Sequence, residues 1–441
     1  MNSHDTLAAL LNAARTAGAE QADALLVHSA SLSVQRRLGA IEQLERAEST
    51  DLGLRVFLGN RVAIVSGTDA SPSGFAALAE RAVAMARVVP EDALATLLDA
   101  PAPMGAPLDL GDALEPDADA LLARAALAEE AALAIAGVTN SEGASADWSR
   151  ATRALATSRG FFGQYTRGAH AVSATALAGE GTGMQRDYDY ASAGHLSDLE
   201  DAVLIGRRAG ERAVARLKPT RPGSMRISVV YHPRVASSLI GHLVNAINGA
   251  SIARGTSFLK DALGKQILPR GMIVMDDPLR PRGPRSRPFD GEGQPGMRRA
   301  LVEDGVLMTW LLDGRSARQL GMTSTGHAAR GTSGPPSPAP SNFWLEPGTL
   351  SPEALMSDIR EGLYVTELIG MGVNGITGDY SRGAAGFMIR DGKLAEPVDE
   401  ITIAGKLPEM FLAMTAANDL VFRRGSDAPT TRVDGMTLAG S

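Results

Sequence analysis

Cysteine is absent from the 441 residues. That excludes disulfides, thiolate zinc sites, iron–sulfur clusters and cysteine nucleophiles, so any metal held by this chain would need His, Asp or Glu. Aromatic residues are scarce at 4%, whereas glycine occurs 48 times, a balance that predicts many turns and a core of Ala, Val, Leu and Ile. No apolar run approaches the roughly 20 residues that span a bilayer. The opening stretch MNSHDTLAALLNAARTAGAEQADALLV has no basic start followed by an apolar run, so it does not read as a signal peptide, and a cytoplasmic location is the expectation. A net charge of −7 disfavours non-specific binding to nucleic acid.

What is present is globular in balance, with 44% hydrophobic and 21% charged residues. The length predicts two domains. Residues 1–220 read as an α/β domain, a small sheet with packed helices, in sub-regions of about 20–90 and 115–218. Residues 221–441 read as a largely antiparallel, β-rich domain of barrel or sandwich type, which makes the whole chain α+β. The segment KPTRPGSM marks the boundary.

Helices are predicted from about 5 to 17 with Asp5 as N-cap, 72–88, 117–136, and 196–217 with Ser197 or Asp198 as N-cap. LSVQRR alternates as a half-buried strand, and LGLRVFLG with RVAIVSG reads as a hairpin. The Pro- and Gly-rich stretch from Glu91 to Pro116 reads as an irregular connection. Beyond the boundary, short β-rich runs such as MIVMDDP, VLMTWLLD, SNFWLEPG, LYVTELIG, GFMIRDGKL and DEITIAG alternate with Gly/Pro loops. Helices are expected there at about 233–247, 315–321, 352–359 and 406–416.

Four stretches are candidates for chemistry. YHPRVASSLIGHLVNAI (Tyr231 to Ile247) passes from strand to helix, with Pro233 suited to the first turn. A zincin-type site needs two His on one helical face and a Glu beside the first. Here Leu243 follows His242, Ala246 stands four residues on, and no Glu occurs between Glu211 and Glu292. Both His232 and His242 therefore read as structural, with a substrate hydrogen bond as the alternative.

SFLK (Ser257 to Lys260) matches S-x-x-K without the companion motifs of penicillin-recognising enzymes, and GDYSRG, carrying Ser381, reads as a tight polar turn. DDPLRPRGPRSRPFDGEG (Asp276 to Gly293) mixes acids that suit a hard cation with arginines that suit an anion. Its plainer reading is a solvated loop whose charges pair with one another. The segment from Thr323 to Gly348 is long for a loop and reads as a mobile strap anchored by Phe343 and Trp344, able to lie over a peptide or a partner.

Taken in order, AESTDLGLRVFLGNRVAIVSG, HPRVASSLIGHL, SFLKDALGKQI, DDPLRPRG, STGHAARG and GVNGITGDYSRGAAGFMIRDGKLAEPVDEITIAGKL make the chain resemble the TldD/PmbA family of peptidase-related proteins. Within it, the chain is similar to the PmbA (TldE) branch. The other branch carries H-E-x-x-x-H on the helix that corresponds to Pro233–Ile247, and Gly241, His242 and Ala246 stand where His, Glu and the second His would be.

The resemblance implies no catalytic or metal-ligating residue in this chain. It implies zinc in a TldD-like partner and a heterodimer that admits unfolded peptides, for peptide maturation or antitoxin removal. His232, His242, Asn342, Asn374, Asp379 and Ser381 are the candidate contacts to substrate or partner. The alternatives are a stand-alone homodimer that binds peptides, and a metal-free hydrolase using Ser257 or Ser381.

Overall fold

The computed structural model describes residues 2–101 and 108–440. Helix α1 (Ser3–Thr16) opens the chain, capped by Asn2, whose side chain accepts the Asp5 N–H. The cap is thus Asn2 and not Asp5, which lies in the first turn, where its charge suits the helix dipole. Three strands follow, β1 (Gln21–Arg37), β2 (Ala40–Leu58) and β3 (Arg61–Gly67). The expected β2–β3 hairpin is present, paired from Leu52↔Gly67 to Leu58↔Arg61. Helix α2 spans Pro72–Val88, with Ser71 accepting the Gly74 N–H and Pro72 in the first turn.

The expected irregular connection falls partly at residues 102–107, outside the described residues. Beyond it come α3 (Ala118–Leu133), β4 (Val138–Thr157), β5 (Phe162–Ala178), β6 (Gln185–Ala193) and α4 (Ala202–Ala215). The helix expected from 196 begins later, because Leu196–Asp198 form a 3-10 turn and Asp201 is the cap, accepting the Val203 and Leu204 N–H groups.

All six strands form one antiparallel sheet in the order β3-β2-β1-β4-β5-β6. It runs unbroken through both N-terminal sub-regions, because β1 pairs with β2 on one side and β4 on the other. Helices α1 and α2 cover one part of it through Leu7, Leu10, Phe75 and Leu78. Helices α3 and α4 cover another through Leu121, Ala125, Ile205 and Ala209. Leu25 and Leu155, paired across β1 and β4, belong to neither of these cores, and Leu155 packs in a small cluster with Phe161 and Phe289.

The second half begins with β7 (Met225–Tyr231), α5 (Pro233–Ala246) and α6 (Gly249–Ala253). Next come β8 (Val274–Asp277), β9 (Arg299–Glu303), β10 (Val306–Leu307), α7 (Gly314–Gln319), β11 (Ala328–Ala329), β12 (Ser337–Pro338) and β13 (Asn342–Leu345). The chain continues with α8 (Pro352–Met356), β14 (Glu361–Ile369), β15 (Asp379–Arg390), β16 (Lys393–Lys406) and α9 (Leu407–Leu412), then β17 (Met414–Ala416), β18 (Ser426–Asp427) and β19 (Thr431–Ala439).

Strands β16-β15-β14-β7-β19 close into a five-stranded barrel, since β19 also pairs back onto β16 from Thr402↔Ala439 to Ala404↔Thr437. A second sheet, β10-β9-β8-β13-β18, stands beside it. Helix α5 joins the two in one apolar core, where Leu239, Ile240 and Leu243 are fully buried, each contributing about 2 kcal/mol.

Several expectations are corrected. GDYSRG is not a turn, because Asp379 to Gly383 already belong to β15 and pair with β16. Of VLMTWLLD only Val306 and Leu307 are strand, and α9 stops at Leu412 so that Met414–Ala416 can pair with β19.

The loop from Asp276 to Gly293 is not a solvated, self-paired stretch. Asp276, Asp290 and Glu292 are buried, and Arg282 pairs outside the loop, with Asp109 and Asp198. The strap from Thr323 to Gly348 is packed, not loose. It folds into the β11–β12 hairpin, and Thr332 lies so close to β2 that a Cβ at Gly53 would meet its carbonyl oxygen at 2.4 Å. Phe343 and Trp344 are buried anchors, as expected.

Candidate functional site

The strand-to-helix passage at β7–α5 separates the two histidines. His232 is the N-cap of α5, its Nδ1 accepting the Arg234 N–H at 3.1 Å, with its ring edge-on to Tyr364. Burial, aided by the Arg212 and Arg234 guanidiniums, lowers its pKa to about 4, so the ring is neutral and able to accept. It lines a cavity of about 370 Å³ with Asp187, Arg216, Arg234 and Tyr364.

His242 lines a different cavity, of about 350 Å³, with Ala246, Ser257, Phe258, Met371 and Arg382. Its ring packs edge-on against Tyr380 at 5.9 Å, and its buried Nε2 has no hydrogen-bond partner among the described residues. Burial and, second, the positive Arg382 lower its pKa to about 4. The two histidines do not converge.

The His242 cavity lies where α5 presents His242 and Ala246, with Gly241 outside its lining. Its lining holds one imidazole, one guanidinium and no carboxylate, a donor set that does not fit a divalent metal. Among the described residues no group of three or more His, Cys, Asp and Glu is placed to hold one. A neutral imidazole with an unpartnered nitrogen is instead suited to a hydrogen bond with a bound amide or carboxylate.

The serines are poorly placed as nucleophiles. Ser257 Oγ donates to the Ala246 carbonyl at 2.5 Å and accepts the Leu259 N–H at 3.0 Å, which ties the end of α5 to the next turn, while Lys260 is exposed. Ser381 is exposed on β15, its N–H donating to Gly372. No acid or base hydrogen-bonds to either hydroxyl among the described residues.

Asn374 accepts the Ile376 and Thr377 N–H groups, and Asp379 accepts the Thr377 hydroxyl. Together they shape the turn whose Gly375 lines the cavity. Met371 and Ile376 stand exposed beside it, at 90% and 61%. Asn342 lies elsewhere, fully buried, donating to the Asp277 carbonyl and Ser286 Oγ and accepting the Arg285 N–H.

Two buried networks carry no local sequence signature. In the first, Asp276 accepts from Ser341 and pairs with His327 Nε2 at 3.0 Å, and Thr325 Oγ1 meets His327 Nδ1 at 2.8 Å. The Thr325 hydroxyl also receives the Leu312 N–H at 2.7 Å, so the chain clamps the strap to β8. In the second, Asp23 is held by Arg55 and Arg330, beside a cavity of about 470 Å³ between the first sheet and the strap, lined by Leu25, Leu155, Phe289 and Arg330.

Comparison with known proteins matches residues 22–86 to domain 1, 111–217 to the central domain and 224–440 to the C-terminal domain of the PmbA/TldA metallopeptidases. Metalloprotease PmbA of Escherichia coli is 37% identical over 423 residues, covering 95% of this chain and 92% of that one. A solved structure from Bacteroides thetaiotaomicron, described as a candidate modulator of DNA gyrase, superimposes with a TM-score of 0.90 at 26% identity, over 99% of both chains. TldE from Thermococcus kodakarensis, at 19% identity, shares the fold with a TM-score of 0.88, over 99% of this chain and 100% of that one. Three consecutive domain matches and a full-length relative at this identity place the chain in the PmbA/TldD metallopeptidase family.

Proposed function

We propose that this chain is the subunit of a two-component zinc peptidase that does not itself carry the metal, and that it completes a chamber for unfolded peptides when joined to a TldD-like, zinc-bearing partner in the cytoplasm. The observation that carries this reading is the α5 cavity. The helix and its pocket are formed, yet Gly241, His242 and Ala246 offer a single neutral imidazole where a metal-binding helix would offer two His and a Glu. The kinship with proteins named metalloprotease PmbA and the shared fold with a protein named TldE support it. Exposed Met371 and Ile376 beside the cavity suit burial against a partner. Peptide maturation and removal of flexible antitoxin-type proteins are the roles that fit a chamber selecting for unfolded chains.

The test is reconstitution. Purified with its TldD-like partner, this chain supports cleavage of an unstructured peptide that neither protein cleaves alone, and zinc is found in the partner. Peptidase activity that stays with this chain after the partner is removed would overturn the reading.

A further inference from the structure

Strand β6 is the outer edge of the six-stranded sheet and, among the described residues, pairs only with β5. The Tyr188 carbonyl points away from β5, since it accepts from Arg212 and Arg234 side chains at 3.3 and 3.1 Å, and the Tyr188 N–H is taken by Asp187 at 2.7 Å. With the two-residue period of a strand, the N–H and C=O groups of Tyr190 and Ser192 also point outward. At the far end the Gly194 carbonyl is occupied by the Asp112 N–H at 3.2 Å. The open edge is therefore short, blocked on one side by two arginines and on the other by the Leu110–Asp112 segment.

This open edge forms one wall of a groove of about 350 Å³. The facing wall comes from the second half of the chain and carries four arginines. Two of them are neutralised, Arg282 by Asp109 and Asp198, and Arg423 by Glu200. The other two pair with no carboxylate among the described residues. Arg280 stacks on Phe422, 3.8 Å from the ring centre, and Arg424 lies 4.5 Å over Tyr190, donating only to the Arg234 carbonyl. Both feel the charge of the buried Asp427, which accepts the Arg423 and Arg424 N–H groups, but neither forms an ion pair with it. A short stretch of unpaired backbone beside two guanidiniums without an ion-pair partner among the described residues matches one kind of ligand, an extended chain with a negative end.

We propose that this groove binds the carboxyl-terminal residues of an extended peptide, which adds to β6 at Tyr190 and Ser192 and places its α-carboxylate between Arg280 and Arg424. The edge is too short for a long added strand, so the terminus is what it selects. The inference rests on the peptide-handling reading above but concerns a different surface from the α5 cavity, and it would let this chain hold one end of a substrate.

The test uses the full chain alone and a short dansylated Ser/Val peptide, with its carboxylate free or amidated. The free acid binds, and amidation weakens it about tenfold or more, the loss expected for a charge-assisted hydrogen bond. Arg280→Gln weakens the acid to the level of the amide. Ser192→Pro, at an outward N–H where an edge strand tolerates proline, weakens both forms while leaving the thermal midpoint in place. Should Ser192→Pro fail to fold, the Arg280→Gln comparison decides alone.

Equal binding of acid and amide, no binding of the acid at about 1 mM, or an Arg280→Gln chain that still prefers the acid overturns the groove. A reconstituted complex that cleaves peptides despite such a result removes the groove and leaves the subunit reading. Acid-selective binding here, with no cleavage by the complex, does the reverse.

Discussion

Arg330 Nη1 reaches Asp23 Oδ1 at 2.5 Å across 307 positions of sequence, tying the strap to the first strand of the N-terminal sheet. Arg55 Nε donates to the other oxygen of the same carboxylate at 2.9 Å, and all three groups are buried. Burial pushes the Asp23 pKa up, but the Arg330 and Arg55 charges outweigh it and hold the carboxyl below its usual range. Removing one member of such a set leaves buried charge uncompensated. Asp23→Ala is expected to cost about 3 kcal/mol or more, read as a lowered urea midpoint and as faster proteolysis within residues 323–348.

Glu292 sits next to this set, its Oε2 accepting the Gly314 N–H at 2.7 Å and its Oε1 3.7 Å from Arg55. Burial raises its pKa to about 7, with Arg55 opposing and Asp290 reinforcing the rise. A carboxyl with a raised folded pKa keeps its proton longer in the folded state. Its contribution is fully present below the ordinary glutamate range and is lost as pH climbs towards 7. Stability is expected to fall by up to about 1.4 kcal/mol per pH unit in that window and to level off above it. Glu292→Gln flattens this slope, and urea midpoints at pH 5 and pH 8 for both proteins measure it.

Ser257→Ala removes one hydrogen bond to the end of α5 and one from Leu259. A stability loss of about 1 to 2 kcal/mol is expected, with the peptidase rate of the reconstituted complex within about twofold of the parent after correction for folded fraction. Ser381→Ala is expected to change neither. A rate loss of about a hundredfold or more with either variant would restore the serine-hydrolase alternative.

Gly241 has no atom within 4 Å of the position its Cβ would take, although it lies inside α5. Gly241→Ala is expected to raise stability by about 0.5 to 1 kcal/mol, the ordinary helix-propensity gain. A destabilised variant, measured by the same denaturation, would mean that this helix face is tightly covered.

Local chemistry made some of this legible. Ser71 with Pro72, and Pro233 after a β-rich run, mark helix starts because caps and prolines act within one turn, and both α2 and α5 begin there. The missing metal set at Gly241, His242 and Ala246 could be read residue by residue. Strand length could not. β4 and β5 are rich in Ala, Ser, Thr and Gly, so their 20 and 17 residues lack the β-branched runs that mark a strand.

Arg330 with Asp23, and Arg280 opposite β6, depend on pairings between distant segments that no window of sequence contains. The loop from Asp276 to Gly293 misled for the same reason. Its Asp276, Glu292 and Arg282 are met by Ser341, His327, Gly314 and Asp109, none of them within it.

The closure of the barrel sets an order of events during synthesis. Strand β7, near the middle of the chain, is flanked by β14 and β19, and β19 also supplies the seam onto β16. The six-stranded sheet is complete once residue 193 has emerged, and apart from the β1–β4 pairing it joins strands adjacent in the chain. The barrel must wait for residues 431–439. A ribosome stalled between the two would therefore display a finished N-terminal sheet and, beside it, an open set of strands with unpaired edges. That half-made state is the one most in need of a chaperone.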